Sequence, residues 1–319
     1  MKWKTRVTEI FNIKYPIVQG GLAHLAYAEL AAAVSNAGGL GQVTAMSLAT
    51  PDELRNEIER VRTLTNNPFG VNFAIGGGRR PYEEMVKVAV EEKVPAISVT
   101  GGNPQGVLDL VKGHDIKTLV LVAARRQAEK AEELGADAVM VVGQEGGGHI
   151  GRADTSTMVL TPQVVDHVKI PVLASGGIVD GRGLMAALSL GADGIEMGTR
   201  FIATEECVHA HSSYKQAILE ADEHATTVIK RSIGAPARAL KNEWTEEILT
   251  IEKNQQGYES IKNHISGEAN KRFIHQGNEN KGFGWAGQGA ASINDVPPVA
   301  VLMERIIEEA ELIRKNWYS

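Results

Sequence analysis

Short runs rich in β-branched residues recur along the chain between residues 17 and 199, each followed by a glycine-rich or polar turn and then a helical pattern. They read as strands at 17–20, 40–45, 69–75, 96–101, 117–123, 137–143, 172–175 and 194–199. Amphipathic segments lie between them at 26–36, 51–64, 81–92, 124–134 and 181–190. Such alternation builds a parallel sheet, because a helical crossover returns the chain to start the next strand in the same direction. Eight units within roughly 200 residues is the count of a closed α/β barrel of the (β/α)8 TIM type. Thr50-Pro51-Asp52-Glu53 supplies a cap residue, a proline and two carboxylates at one helix start. Gly38 and Gly191 stand where helices would end in left-handed caps.

The rhythm stops near residue 205. From there the pattern turns helical and polar, carrying Trp244, Tyr258, Phe273, Phe283 and Trp285, which read as a small core of their own. Segment 296–314 then shows apolar residues at helical spacing. The predicted organisation is a barrel core over 1–205, a mostly helical cap or insert over 206–295 at one end of it, and a C-terminal helix within 296–319 that returns to the barrel.

Composition excludes several classes. One cysteine, Cys207, among 319 residues leaves no disulfide scaffold and no Cys-rich metal module. No apolar run approaches the ~18 residues of a membrane span, and the start, MKWKTRVTEIFNIKYP, lacks the apolar core of a secretory signal. A cytoplasmic protein is the expectation. A formal charge of −6 argues against nucleic-acid binding, and the densest basic spots, Arg79–Arg80 and Arg125–Arg126, read as solvated helix starts. Glycine is in excess, at 34 residues, and its placement carries the functional reading.

In this fold the chemistry is built at the carboxyl ends of the strands. Those positions hold Gln19, Thr44, Asn72, Thr100, Glu145, His149, Ser175 and Thr199. There is no lysine for a Schiff base and no cluster of carboxylates or histidines for a metal. His209 and His211, two residues apart, would not share a helix face and read as surface residues. A site with one histidine and one carboxylate among amides and hydroxyls leaves the reaction to a cofactor. After the seventh predicted strand comes Ser175-Gly176-Gly177, and after the eighth Met197-Gly198-Thr199. Barrels often hold a phosphate at these two loops, where glycine lets backbone N–H groups approach the oxygens. Tight strand-to-helix turns use glycine too, but two clusters at the two expected ends favour phosphate.

Residues 146–151, GGGHIG, formally match a dinucleotide fingerprint. That fingerprint must open directly into a helix, and the loop-like RADTST at 152–157 follows instead. The glycines read better as backbone passing close over a flat ring. His149, among them and near Glu145, becomes the candidate acid–base or orienting group.

Six segments then come in the order of a known family: PIVQGG (16–21), AGGLG (37–41), PFGVN (68–72), GQEGGGHIGR (143–152), ASGGIVDGRG (174–183) and MGTRFIATEE (197–206), with GFGWAGQ (282–288) in the tail. The chain resembles the nitronate monooxygenases, FMN-dependent barrel enzymes formerly called 2-nitropropane dioxygenases, over most of its length. The resemblance implies that Gln19, Gly20 and Gly21 lie against the isoalloxazine and that Asn72 bonds its polar edge. Gly176, Gly177, Gly198 and Thr199 would hold the phosphate, with Glu145, Ser175 and Met197 completing the cofactor set. His149 matches the catalytic histidine, with Thr100 and Gly148 beside the substrate and no metal. The implied reaction oxidises an alkyl nitronate with O2 to a carbonyl compound and nitrite. His149 would orient the nitronate and act as base toward a neutral nitroalkane. The implied partners are a small-molecule substrate and O2, with no nucleic acid or membrane, and a homodimer is left open.

Two related groups share these motifs. Flavin-dependent enoyl-acyl-carrier-protein reductases carry a similar GGHIG loop, and an NADH:quinone reductase group is similar through the barrel into the tail. Here Gly146 replaces the alanine of the commoner EAGGH loop, and Val122 stands where some quinone-reductase relatives carry lysine. The alternative activity is therefore an NAD(P)H-dependent reduction of enoyl thioesters or quinones. From a different class, a flavin-free phosphate-binding barrel is supported by the phosphate loops alone.

Overall fold

The computed structural model describes residues 3–76, 81–254 and 257–317. Its strands are β1 (Ile17–Gln19), β2 (Gly41–Thr44), β3 (Phe69–Ala74), β4 (Ala96–Thr100), β5 (Lys117–Val122), β6 (Ala138–Val142), β7 (Gly148–His149), β8 (Val172–Ser175), β9 (Gly194–Met197), β10 (Thr226–Ile229) and β11 (Ala237–Leu240). Eight of them form one sheet in the order β1-β9-β8-β6-β5-β4-β3-β2, parallel throughout. A parallel bridge from Val18 to Leu40, just before β2, brings the two edges together. The result is a nearly closed (β/α)8 TIM barrel with helices between the strands.

The strands are hydrophobic on both faces because both are covered. Val18, Leu40, Leu119, Met140 and Leu173 fill the interior. The outward residues of β5 and β6, such as Val120 and Val139, pack on helix residues Ala128, Ala131 and Leu160. Helix Pro51–Leu64 starts as its sequence requires, with the Thr50 hydroxyl accepting the Glu53 N–H at 3.2 Å. It buries Leu54, Ile58 and Val61, one stripe at helical spacing.

The long terminal helix, Val299–Trp317, packs Leu302, Met303, Ile306 and Ala310 against helices Ala28–Asn36 and Gly181–Ser189. The approach is close: a Cβ on Gly181 would lie 2.5 Å from the Ile306 carbonyl oxygen.

Between the barrel and this helix the chain carries helices Ser212–Leu219, Glu243–Asn254, Tyr258–Ile261 and Gly267–Ile274. It also carries strands that the sequence pattern does not show. β10 and β11 pair antiparallel, and β11 pairs in turn with β7. At four residues each, TTVI and ARAL are too short to display an alternation. Helices Arg6–Phe11, Gln105–Val111 and Thr157–Val165 leave no clear pattern for related reasons: two are under two turns long, and the third holds Pro162. The Arg125–Arg126 pair opens helix Arg125–Glu133 with both side chains exposed, whereas Arg79–Arg80 lies outside the described residues. Among the described residues, no helix is long and apolar enough to cross a membrane.

Candidate active site

The parallel register sets the carboxyl ends of the strands side by side: Gln19 lies opposite Met197, Ser175 opposite Glu196, and Thr44 opposite Asn72. The Gln19 side chain is fully buried, and its amide oxygen accepts the Gln42 N–H at 2.8 Å. Asn72 donates to the Ser98 hydroxyl at 2.9 Å. Gly20 and Gly21 are forced by these neighbours. A Cβ on Gly20 would fall 1.6 Å from a Glu196 carboxyl oxygen, and one on Gly21 would fall 2.3 Å from the Asn72 amide oxygen. Glu196 receives the Ser175 hydroxyl, yet burial of its carboxyl still holds its pKa above the ordinary 4.5.

The loops beyond β8 and β9 form a cradle of backbone. Gly176 and Gly177 hold φ values of +96° and +75°, a left-handed pair that turns successive N–H groups outward. Among the described residues, the N–H groups of Gly177 and Ile178 meet no protein acceptor. Beyond β9, Gly198 precedes the short helix Thr199–Ile202. Open N–H groups beside glycine are the donor set that a phosphate needs, so these residues fit the phosphate end of a flavin mononucleotide. The other members of the predicted set have different roles. Met197 turns its side chain into the core and offers its carbonyl, which accepts the Gly20 N–H at 2.9 Å. Glu145 accepts the backbone N–H and the hydroxyl of Thr157, at 2.9 and 3.0 Å, at the start of helix Thr157–Val165. The Thr199 hydroxyl accepts the Gly287 N–H at 2.9 Å, which pins the tail loop over the strand ends.

His149 sits on β7, opposite Ala237 of β11, so a loop residue is held by a ladder. The adjoining Gly148 has φ +72°, and a Cβ there would meet open space. The imidazole borders a cavity of about 470 Å³ that runs between β5 and helix Arg125–Glu133, lined also by Gly101, Val120, Leu121, Arg126, Ala131 and Ile150; none of the residues expected to hold the flavin lines it. Thr100 stands immediately before that rim, its carbonyl accepting the Ile75 N–H at 2.9 Å.

On its other side the imidazole is crowded. Lys230 Nζ lies 2.5 Å from His149 Nε2, and the Trp285 ring centroid is 5.9 Å from that of His149. Although the residue opens to the cavity, this crowding and then the Lys230 charge lower the His149 pKa from 6.5 to about 4. The imidazole is therefore neutral at pH 7.

Lys230 and Trp285 were not predicted as site residues. Lys230 is 81 residues from His149 in sequence and reaches it through the β10–β11–β7 ladder, whose short strands left no signal. Trp285 was placed among the core aromatics. Phe283 does belong there, fully buried, whereas Trp285 is half-buried with Phe283 on one side and His149 on the other. His209 is exposed against Tyr27, and half-buried His211 caps helix Ser212–Leu219 by accepting the Ser213 N–H at 3.2 Å. Among the described residues, no three metal-ligating side chains converge.

The nitronate monooxygenase family profile matches residues 4–77 and 74–309. The chain belongs to the nitronate monooxygenase family. A probable nitronate monooxygenase from Staphylococcus saprophyticus is 33% identical, with 98% of this chain and 99% of that protein covered. Among solved structures, FabK from Thermotoga maritima superposes with a TM-score of 0.92 at 37% identity, covering 99% of this chain and 98% of FabK. A nitroalkane oxidase from Streptomyces ansochromogenes gives a TM-score of 0.85 at 28% identity, covering 98% and 100%. Membership makes this nitronate monooxygenase family protein a flavin-dependent oxidoreductase acting on small molecules.

Proposed function

We propose that the protein uses FMN to oxidise alkyl nitronates with O2 to a carbonyl compound and nitrite. The observation that carries this reading is His149, a neutral imidazole that a β ladder holds beside the loop after β6. FMN would supply the electron transfer between the organic donor and dioxygen. Gln19, Gly20, Gly21 and Asn72 would bear on its ring, and Gly176, Gly177, Gly198 and Thr199 on its phosphate, with Glu145, Ser175 and Met197 shaping the loops behind. Thr100 and Gly148 would border the substrate.

The role of His149 follows from its basicity. An imidazole with a pKa near 4 is a weak base, poorly matched to removing a proton from a neutral nitroalkane at pH 7. A nitronate has already lost that proton. His149 then has only to orient it, which favours the nitronate over the neutral nitroalkane as substrate.

A second reading rests on two observations. FabK is the more similar of the two neighbours described above, and a cavity of about 470 Å³ falls in the ~300–1,000 Å³ range of pockets for larger ligands. Both favour NAD(P)H-dependent reduction of an enoyl thioester or quinone. Against it, reduction of a C=C bond requires a proton for the substrate carbon, and a neutral imidazole is a poor donor.

Aerobic incubation of the flavin-loaded protein with ethyl nitronate tests the first reading. Acetaldehyde and nitrite should form, and His149→Ala should retain its flavin while losing about 10²-fold or more in kcat/KM. Wild-type turnover in that variant would remove His149 from the reaction.

A further inference from the structure

The cavity between β5 and helix Arg125–Glu133 has a lining whose chemistry the flavin site does not use. Its walls include Val120 and Val122 of β5 and Ala131 of the helix, all buried and part of the packing layer outside the barrel. The charged part of the lining is of one sign. Arg126 and Lys130 stand four residues apart, hence on one face of the helix, and both border the cavity, whereas no aspartate or glutamate among the described residues does. The chain as a whole carries a net charge of −6, so this local excess of positive charge runs against its composition. Arg125 is engaged, 3.5 Å from Glu129 and 3.0 Å from His167. The Arg126 guanidinium is exposed and makes no hydrogen bond or ion pair among the described residues. Lys130 reaches Glu133 at 3.0 Å, an exposed pair of a kind that contributes little and yields readily to another anion.

We propose that this cavity binds an unbranched aliphatic carboxylate of medium length, with the carboxylate at Arg126 and Lys130 and the chain lying along β5 toward His149. An apolar slot gains from each methylene it takes out of water. The planar fork of an unpaired arginine matches the two oxygens of a carboxylate, and a second cation one helical turn on adds to the attraction. A neutral chain would use the walls and leave both cations idle, and a small inorganic anion would use the cations and leave the walls wet. Because His149 borders the same cavity, a chain that fills it competes with any substrate that the imidazole orients. That consequence rests on the nitronate reading, whereas the binding itself does not.

The test is titration calorimetry of the flavin-loaded protein at constant ionic strength, with sodium butanoate, hexanoate and octanoate as anionic probes and 1-octanol as the neutral one. Affinity should rise by about threefold per methylene from butanoate to octanoate. Arg126 and Lys130 are exposed, so the double variant Arg126→Gln, Lys130→Gln leaves the buried walls untouched. It should bind octanoate roughly 10- to 100-fold more weakly, with octanol affinity within about threefold of wild type. With ethyl nitronate as substrate, octanoate should raise KM and leave kcat unchanged in the wild type, and the double variant should need correspondingly more of it.

Failure of the wild-type protein to bind octanoate would overturn the assignment, as would an affinity that does not grow with chain length. Octanoate affinity unchanged in the double variant would overturn it too, and so would equal losses for octanoate and octanol. Binding that leaves the KM for ethyl nitronate unchanged would overturn the placement of the chain against His149. If the calorimetric pattern is seen but ethyl nitronate is not turned over, the nitronate reading fails and the cavity assignment stands. If ethyl nitronate is turned over and octanoate does not bind, the nitronate reading stands and the cavity assignment fails.

Discussion

At the scale of single residues, the strand ends hold two groups whose protonation is set by crowding. His149 stays neutral and Glu196 is pushed toward its protonated form, each because burial disfavours its charge. For Glu196 this has a consequence for stability. Its folded pKa lies above the unfolded value, so the native state holds a proton that the unfolded chain releases. Stability is unpenalised below the ordinary carboxyl pKa of 4.5, declines as pH rises from there toward the folded pKa, and then levels off. Glu196→Gln removes that slope. Melting temperatures of the flavin-free protein followed across this range should therefore fall less steeply for the variant, and parallel profiles would contradict the assignment. Little of this was legible in the sequence. Glu196 lies inside a strand pattern, GIEM, where it reads as an ordinary alternating polar residue. Gly20 and Gly21 were singled out for approach to a ring, yet what demands them within the chain is room for the Glu196 and Asn72 side chains.

At the scale of elements, the site is assembled by two ties from the segment after the barrel. One is the β7–β11 ladder that seats His149. The other is Arg200, buried at 4% exposure just beyond β9. It donates to the carbonyl oxygens of Ala203 and Asp295 at 2.6 and 2.7 Å, with Nη1 3.2 Å from the Asp295 carboxylate. Arg200 therefore fixes the start of the terminal segment against the strand end that carries Thr199. Arg200→Met keeps most of the packing volume but leaves those carbonyls without their donor. A loss of about 2–4 kcal/mol in urea unfolding is expected, and an unchanged midpoint would show the tie to be dispensable. Both ties pair distant parts of the chain, 88 residues apart for Ala237 with His149 and 95 for Asp295 with Arg200. Sequence periodicity reports local structure only, so it found the strands and helices of the barrel and missed the ladder that positions the histidine.

At the scale of the molecule, the barrel was the most legible feature. Its strands are buried on both faces and so appear as continuous apolar runs. Helix ends carry their own chemistry, as Thr50 and the left-handed Gly38 and Gly191 show. Where the strands end, the fold decides which residues face one another, as Gln19 lies opposite Met197 and Ser175 opposite Glu196. The same architecture serves nitronate oxidation and nicotinamide-dependent reduction, so fold alone does not choose between them. The proposed substrate is the anionic nitronate, because a neutral His149 would have only to orient a molecule that has already lost its proton. Anaerobic mixing of the flavin-loaded protein with ethyl nitronate, and separately with NADH and NADPH, tests this choice most directly. The account predicts that ethyl nitronate changes the visible flavin band rapidly while neither nicotinamide does so on the same timescale. Rapid bleaching by NADH or NADPH with no response to the nitronate would contradict it.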